Sequence, residues 1–109
     1  MEHEVRVEGY ELKLRKIMLN FYVYILKCSD GSYYTGHTDN LEKRISEHQA
    51  GSYEGYTASR LPVELIFVET CASRIEALEA ERKIKTWNRK KKEALAYRGW
   101  KGIIALRKQ

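Results

Sequence analysis

Phe21-Tyr22-Val23-Tyr24-Ile25-Leu26-Lys27-Cys28, then Ser29-Asp30-Gly31, then Ser32-Tyr33-Tyr34-Thr35-Gly36-His37: the reading of this stretch decides the fold. Its two ends are rich in β-branched and aromatic residues, and three turn-forming residues part them, which is the pattern of a β-hairpin. Register then matters. A two-residue Asp30-Gly31 turn would set Tyr24 and Tyr34 on opposite faces of the ribbon. A three-residue Ser29-Asp30-Gly31 loop, with Gly31 left-handed, sets both phenols on one face, because side chains alternate with period two. If the two tyrosines work together, the longer loop is required.

Downstream of the hairpin, a helix is predicted from about Asn40 to Gln49, with Asp39 as N-cap, Glu42 three residues on and Gly51 as the stop. Leu41 and Ile45 make its apolar stripe, and Arg44 and His48, four apart, border that stripe on one face. A loop over 50–62, closed by Pro62, carries Tyr53, Tyr56 and Thr57, which could touch a substrate but draw no catalytic role. Residues 63–69 (VELIFVE) read as a third strand. Ser73 with Glu76 opens a second helix running to about Trp87, with Ala77, Ala80, Ile84 and Trp87 toward the core. Glu81 falls inside that apolar arc, where a carboxylate needs a metal or a cation as partner. A third, basic helix is predicted from about Arg89 to Arg98, ending at Gly99, and the apolar residues 103–106 could pack back on the core.

A chain of 109 residues supports one domain with one modest core. Residues 1–19 are expected as an N-terminal extension, with Met18 as an alternative start, residues 20–98 as the domain and residues 99–109 as a basic tail. Cys28 and Cys71 lie in or beside apolar runs without metal-ligand spacing, so both read as reduced structural thiols. No apolar run approaches a membrane span and the first twenty residues are too charged for a signal peptide, so a cytoplasmic protein is expected. The charge is unevenly spread. Residues 82–109 carry 11 Lys/Arg against one acid, Glu93, whereas residues 1–81 carry 9 against 14 acids. A segment this basic repels itself unless it is solvated or set against a polyanion. Lys83, Lys85, Arg89, Lys90, Lys91 and Lys92 are the candidate nucleic-acid contacts.

These residues resemble the GIY-YIG nuclease superfamily, in particular its small single-domain bacterial members. Val23-Tyr24-Ile25 stands at the first half of the signature and Tyr34-Thr35-Gly36 at the second. Arg44 to His48 matches the Arg-x-x-x-His of the following helix, and Glu81 the late glutamate; together they span about residues 21–98. The resemblance implies an α+β fold, a three-stranded antiparallel sheet flanked by helices, and cleavage of DNA that depends on Mg²⁺ or Mn²⁺. By motif match Tyr24 and Tyr34 would be the active-site tyrosines, Arg44 the phosphate-binding arginine, His48 an accessory catalytic group and Glu81 the metal ligand.

Each of these residues alone has an ordinary structural explanation: strand tyrosines pack across strands, and helix arginines, histidines and glutamates meet solvent or one another. Their convergence in order and spacing favours a DNA endonuclease of low sequence specificity, conceivably in repair or recombination. A non-catalytic nucleic-acid-binding module of the same fold is the rival, and a domain that needs a specificity-providing protein partner is a third reading.

Overall fold

A computed structural model describes residues 20–53 and 55–107; the expected N-terminal extension lies outside them. In chain order the elements are β1 (Phe21–Lys27), β2 (Tyr33–Thr38), α1 (Leu41–Ala50), β3 (Glu64–Cys71), α2 (Arg74–Lys85) and α3 (Arg89–Arg107). The strands form one antiparallel sheet in the order β2-β1-β3, with helices packed on both faces, so the fold is α+β.

The central position of β1 explains its sequence. Val23, Tyr24, Ile25 and Leu26 are all fully buried, so the strand reads as an unbroken apolar run rather than an alternation. Val23 and Ile25 pack under α2 and α3 with Ala77, Ile84, Leu95 and Ile103. Tyr24 and Leu26 point the other way, into a smaller cluster with Cys28, Val63, Leu41 and Ile45. Cys28 and Cys71 are both buried and unpaired, as expected of structural thiols.

Hairpin pairing sets Tyr24 opposite Gly36 and Leu26 opposite Tyr34. The Cys28 N–H donates to the Ser32 carbonyl at 2.8 Å, and Gly31 turns the chain at φ 82°. The three-residue loop is therefore formed, and both phenols stand on one face with ring centroids 6.3 Å apart. In β3 the register shifts opposite Ile25 and Leu26. One extra residue there lets Ile66 and Phe67 both face the α2–α3 side while Leu65 joins the Tyr24 cluster, which strict alternation would forbid.

Helix α1 starts one residue later than predicted. Asn40, not Asp39, is its N-cap, accepting from the Lys43 N–H at 3.2 Å. Asn and Asp cap equally well, so the sequence offered no way to choose between adjacent candidates. Asp39 instead meets Arg74 at 3.0 Å. Gly51 closes α1 in the left-handed region as expected. Ser73 caps α2 as predicted, although Glu76 reaches back to the Ala72 N–H. Helix α3 breaks at Gly99, where φ is 66°. Residues 100–107, expected as part of a basic tail, resume as helix, and Ile103 and Leu106 pack on the core as their apolar character suggested. Trp100 meets Trp87 edge-on and donates its Nε1–H to Glu69 at 2.7 Å. Among the described residues no helix is long and apolar enough to cross a membrane.

Candidate active site

As the edge strand, β2 brings the two faces of the sheet together along one open rim. Tyr34 stands on the α1 face, and His37, of opposite parity, on the α2 face. Glu81 reaches the rim from α2, its Oε1 2.8 Å from His37 Nδ1 and its Oε2 3.1 Å from Lys85 Nζ. Arg44 arrives from α1. The result is a polar cleft of about 380 Å³ whose walls include Tyr34, His37, Arg44, Tyr53, Glu81 and Lys85. Three of the five residues singled out from the motifs thus share it: Tyr34, Arg44 and Glu81.

Tyr24 and His48 do not line the cleft; both are fully buried behind it. Tyr24 Oη lies 2.8 Å from His48 Nε2, and His48 Nδ1 lies 2.7 Å from Thr57 Oγ1. A phenol is a stronger donor than acceptor, and the nearby Arg44 charge favours electron density on the Tyr24 oxygen. The arrangement that fits has Tyr24 donating to Nε2 while Nδ1–H donates to Thr57. Burial, aided by the Arg44 charge, lowers the His48 pKa to about 4, so the ring is neutral near pH 7. Burial also pushes the Tyr24 phenol up to about 12 against the opposing pull of Arg44. The Tyr34 phenol is raised further still, by burial and by its neighbours Tyr24, Tyr53 and Glu81.

Arg44 is held in place by several groups. It donates to the Tyr53 hydroxyl at 3.2 Å and the His37 carbonyl at 3.4 Å, and its guanidinium sits 4.5 Å from the Tyr53 ring centroid. Its Nε is buried without a hydrogen bond among the described residues and faces Glu47 Oε1 at 3.5 Å. At Glu81, burial favours the neutral acid, but hydrogen bonds from His37 and Lys85 outweigh it and the net pKa is lowered. The cleft therefore presents a carboxylate and a guanidinium together.

His37 escaped the reading of the sequence; it shares Glu81 with Lys85. Three loop residues that the sequence offered only as substrate contacts take supporting positions. Tyr53 carries Arg44, Thr57 anchors His48, and Tyr56 stacks beside Tyr34 at 6.2 Å. Arg60 ties this loop to the hairpin turn through Asp30 at 3.0 Å and packs 3.7 Å from the Tyr56 ring centroid. Alternation along β2 could have set His37 on the α2 face; nothing local could have folded the loop back.

The candidate nucleic-acid contacts spread over the α2–α3 junction. Lys85 lines the cleft, and Arg89 and Lys90 line a second groove. Lys91 sits 4.3 Å over the Trp87 ring, Lys92 is half-buried with its pKa lowered by burial and by Lys85, and Lys83 is exposed.

The family model described as the GIY-YIG catalytic domain matches residues 20–94. The chain belongs to the GIY-YIG family. A UPF0213 protein of Bacillus pumilus is 49% identical over 74 residues, covering 68% of this chain and 76% of that one. A UPF0213 protein of Haloquadratum walsbyi is 47% identical over 78 residues, covering 72% and 88%. The solution NMR structure of the UPF0213 protein BH0048 from Bacillus halodurans is 43% identical and covers 69% of this chain and 80% of that one, with a TM-score of 0.46. The GIY-YIG domain is a nuclease domain, and the cleft of this chain contains Tyr34, Arg44 and Glu81.

Proposed function

We propose that this GIY-YIG domain is a divalent-metal-dependent endonuclease that hydrolyses DNA phosphodiesters with low sequence specificity. The observation that carries the reading is the convergence of Tyr34, Arg44 and Glu81 on one polar cleft at the rim of β2. Arg44 lines the cleft and offers the planar fork of its guanidinium to the phosphate oxygens. Two phenols line the cleft; the Tyr53 hydroxyl is engaged by Arg44, so Tyr34 takes the proton of the attacking water. Tyr24, hydrogen-bonded to His48, is an inner support that holds its oxygen toward Arg44.

Glu81 would hold the ion. Among the described residues no three His, Cys, Asp or Glu converge on a point, so most of the ion's shell would come from water and substrate. That fits Mg²⁺ or Mn²⁺, which keep several waters and take the rest of their shell from substrate phosphate. Bound there, such an ion would neutralise charge on the scissile phosphate. His37 and Lys85 occupy the carboxylate otherwise, and Lys85 released from Glu81 is within reach of an incoming phosphate.

Incubation with supercoiled, branched and single-stranded DNA plus Mg²⁺ or Mn²⁺, beside Glu81→Ala, tests the reading. Nicking by the wild type, lost in the variant, supports it. Binding without nicking leaves the non-catalytic module as the function.

The rate should depend on pH through the phenols. With both tyrosines raised, ionised phenol grows about tenfold per pH unit below the pKa, so the logarithm of the single-turnover rate climbs with a slope near one and no plateau below about pH 10. His48 contributes no inflection near 6.5, because it stays neutral down to about 4. Tyr34→Phe flattens the climb. A wild-type profile that is level between pH 7 and 9.5 would remove the tyrosine base.

Thr57 has a checkable share. Thr57→Val leaves the His48 Nδ1–H without an acceptor in a buried site, which costs about 1–3 kcal/mol of stability. Ring ¹⁵N shifts of His48 should show one tautomer in the wild type and a mixture in the valine variant, with Thr57→Ser restoring the first. A single unchanged tautomer in Thr57→Val would show that Thr57 does not set it.

A further inference from the structure

A second groove, about 480 Å³, runs along α3 and is lined by Arg89, Lys90, Glu93, Ala94, Tyr97 and Arg98. Three of the six are cations. Glu93 engages Arg89 at 3.0 Å, while Lys90 and Arg98 form no ion pair among the described residues. Tyr97 is 60% exposed on the groove wall, although its neighbours Ala94 and Leu95 are buried, so its ring contributes little to the core. An exposed aromatic ring among unmatched cations is what a nucleic-acid strand recognises: cations hold the phosphates and the ring offers a face to a base.

The groove adjoins the cleft. Lys85 lines the cleft and Arg89, four residues later, lines the groove, so their backbones are no more than about 14 Å apart. Lys92 bridges the interval: it is half-buried, and its ammonium is weakened by burial and by the nearby charge of Lys85. A strand whose phosphate is seated at Arg44 can therefore continue past Lys85 toward the groove; the acids on the two linings are Asp39, Glu81 and Glu93.

We propose that the α3 groove binds an unpaired flank of the DNA substrate, with Tyr97 stacking on one of its bases and Arg89, Lys90 and Arg98 holding its phosphates. Within a duplex, base faces are covered by their neighbours; only an unpaired or splayed nucleotide can offer one to Tyr97. This subsite rests on the nuclease reading of the cleft and specifies its substrate class: duplex DNA with a single-stranded extension beside the cut.

Fluorescence anisotropy of the full chain in EDTA, so that no cleavage occurs, tests it with two probes: a blunt duplex and the same duplex carrying a single-stranded extension with 2-aminopurine. The wild type should prefer the extended probe and quench its 2-aminopurine. Tyr97→Ala should weaken extended-probe binding roughly tenfold and abolish the quenching while leaving blunt-duplex binding unchanged; Tyr97→Trp should retain both. Equal loss on both probes, or no loss on either, overturns the proposal. So does equal affinity for the two probes with tighter capture of a poly-glutamate peptide, which would make the groove a dock for an acidic protein. Since the measurement needs no metal, Tyr97-dependent binding by a wild type that never cuts keeps the subsite and removes the nuclease reading instead.

Discussion

Gly36→Ala is expected to dislodge Tyr24 and lower stability by about 3 kcal/mol, roughly 15 °C in Tm for a domain of this size. The cross-strand partner of Gly36 is Tyr24, and the phenol lies down across the glycine. A Cβ built on Gly36 would stand 2.6 Å from Tyr24 Oη and 2.7 Å from its Cζ, closer than atoms can approach. Neither side can give. Tyr24 is fully buried and tethered to His48, and Gly36 is locked in the β1–β2 ladder. Thermal unfolding checks the size of the effect, and a double-mutant cycle checks its cause. On a Tyr24→Ala background the same glycine substitution should lose most of its effect, since the atoms it strikes are gone. Full additivity would place the damage in the backbone of β2. The glycine of the Tyr-Thr-Gly motif is thus explained by packing: it is the hollow into which the inner phenol fits.

That hollow also marks what the sequence could and could not say. The hairpin register followed from the condition that Tyr24 and Tyr34 share a face, which the three-residue loop meets and the two-residue turn does not, and the pairing of Leu26 with Tyr34 bears it out. Strands, helix order and the Arg44–His48 face were likewise local matters of period and capping. The choice of Asn40 over Asp39 was not, since both residues cap well. The layering of the site was also out of reach. The family resemblance placed Tyr24, Tyr34, Arg44, His48 and Glu81 in one neighbourhood, yet the sheet divides them into an inner pair and an outer trio. The division depends on β2 being the edge strand, so that Glu81 can reach round from α2 to His37 while Tyr34 faces α1. Edge position is a property of strand order, which long-range pairing decides. The loop through Tyr53 and Thr57 is a similar case: it is positioned by Arg60 on Asp30, thirty residues away in the chain.

Arg44→Ala is expected to reduce single-turnover cleavage about 10³-fold, near 4 kcal/mol of transition-state stabilisation, with the fold intact. The fold should survive because Arg44 lies at the cleft rather than in either apolar cluster. Two functions vanish together in the alanine variant. The scissile phosphate loses a bidentate donor, and the inner phenol loses the cation that opposes its burial, so the Tyr24 pKa should rise above its present value of about 12. Arg44→Lys separates them. A lysine keeps a positive charge near both phenols but cannot present the planar fork or lie flat on Tyr53. It should therefore retain the wild-type slope of rate against pH while remaining at least tenfold slower at every pH. Recovery of full activity by lysine would mean that charge alone is needed and that the fork geometry, with its buried Nε, plays no part. Unimpaired cleavage by Arg44→Ala would remove the cleft as the place where DNA is cut.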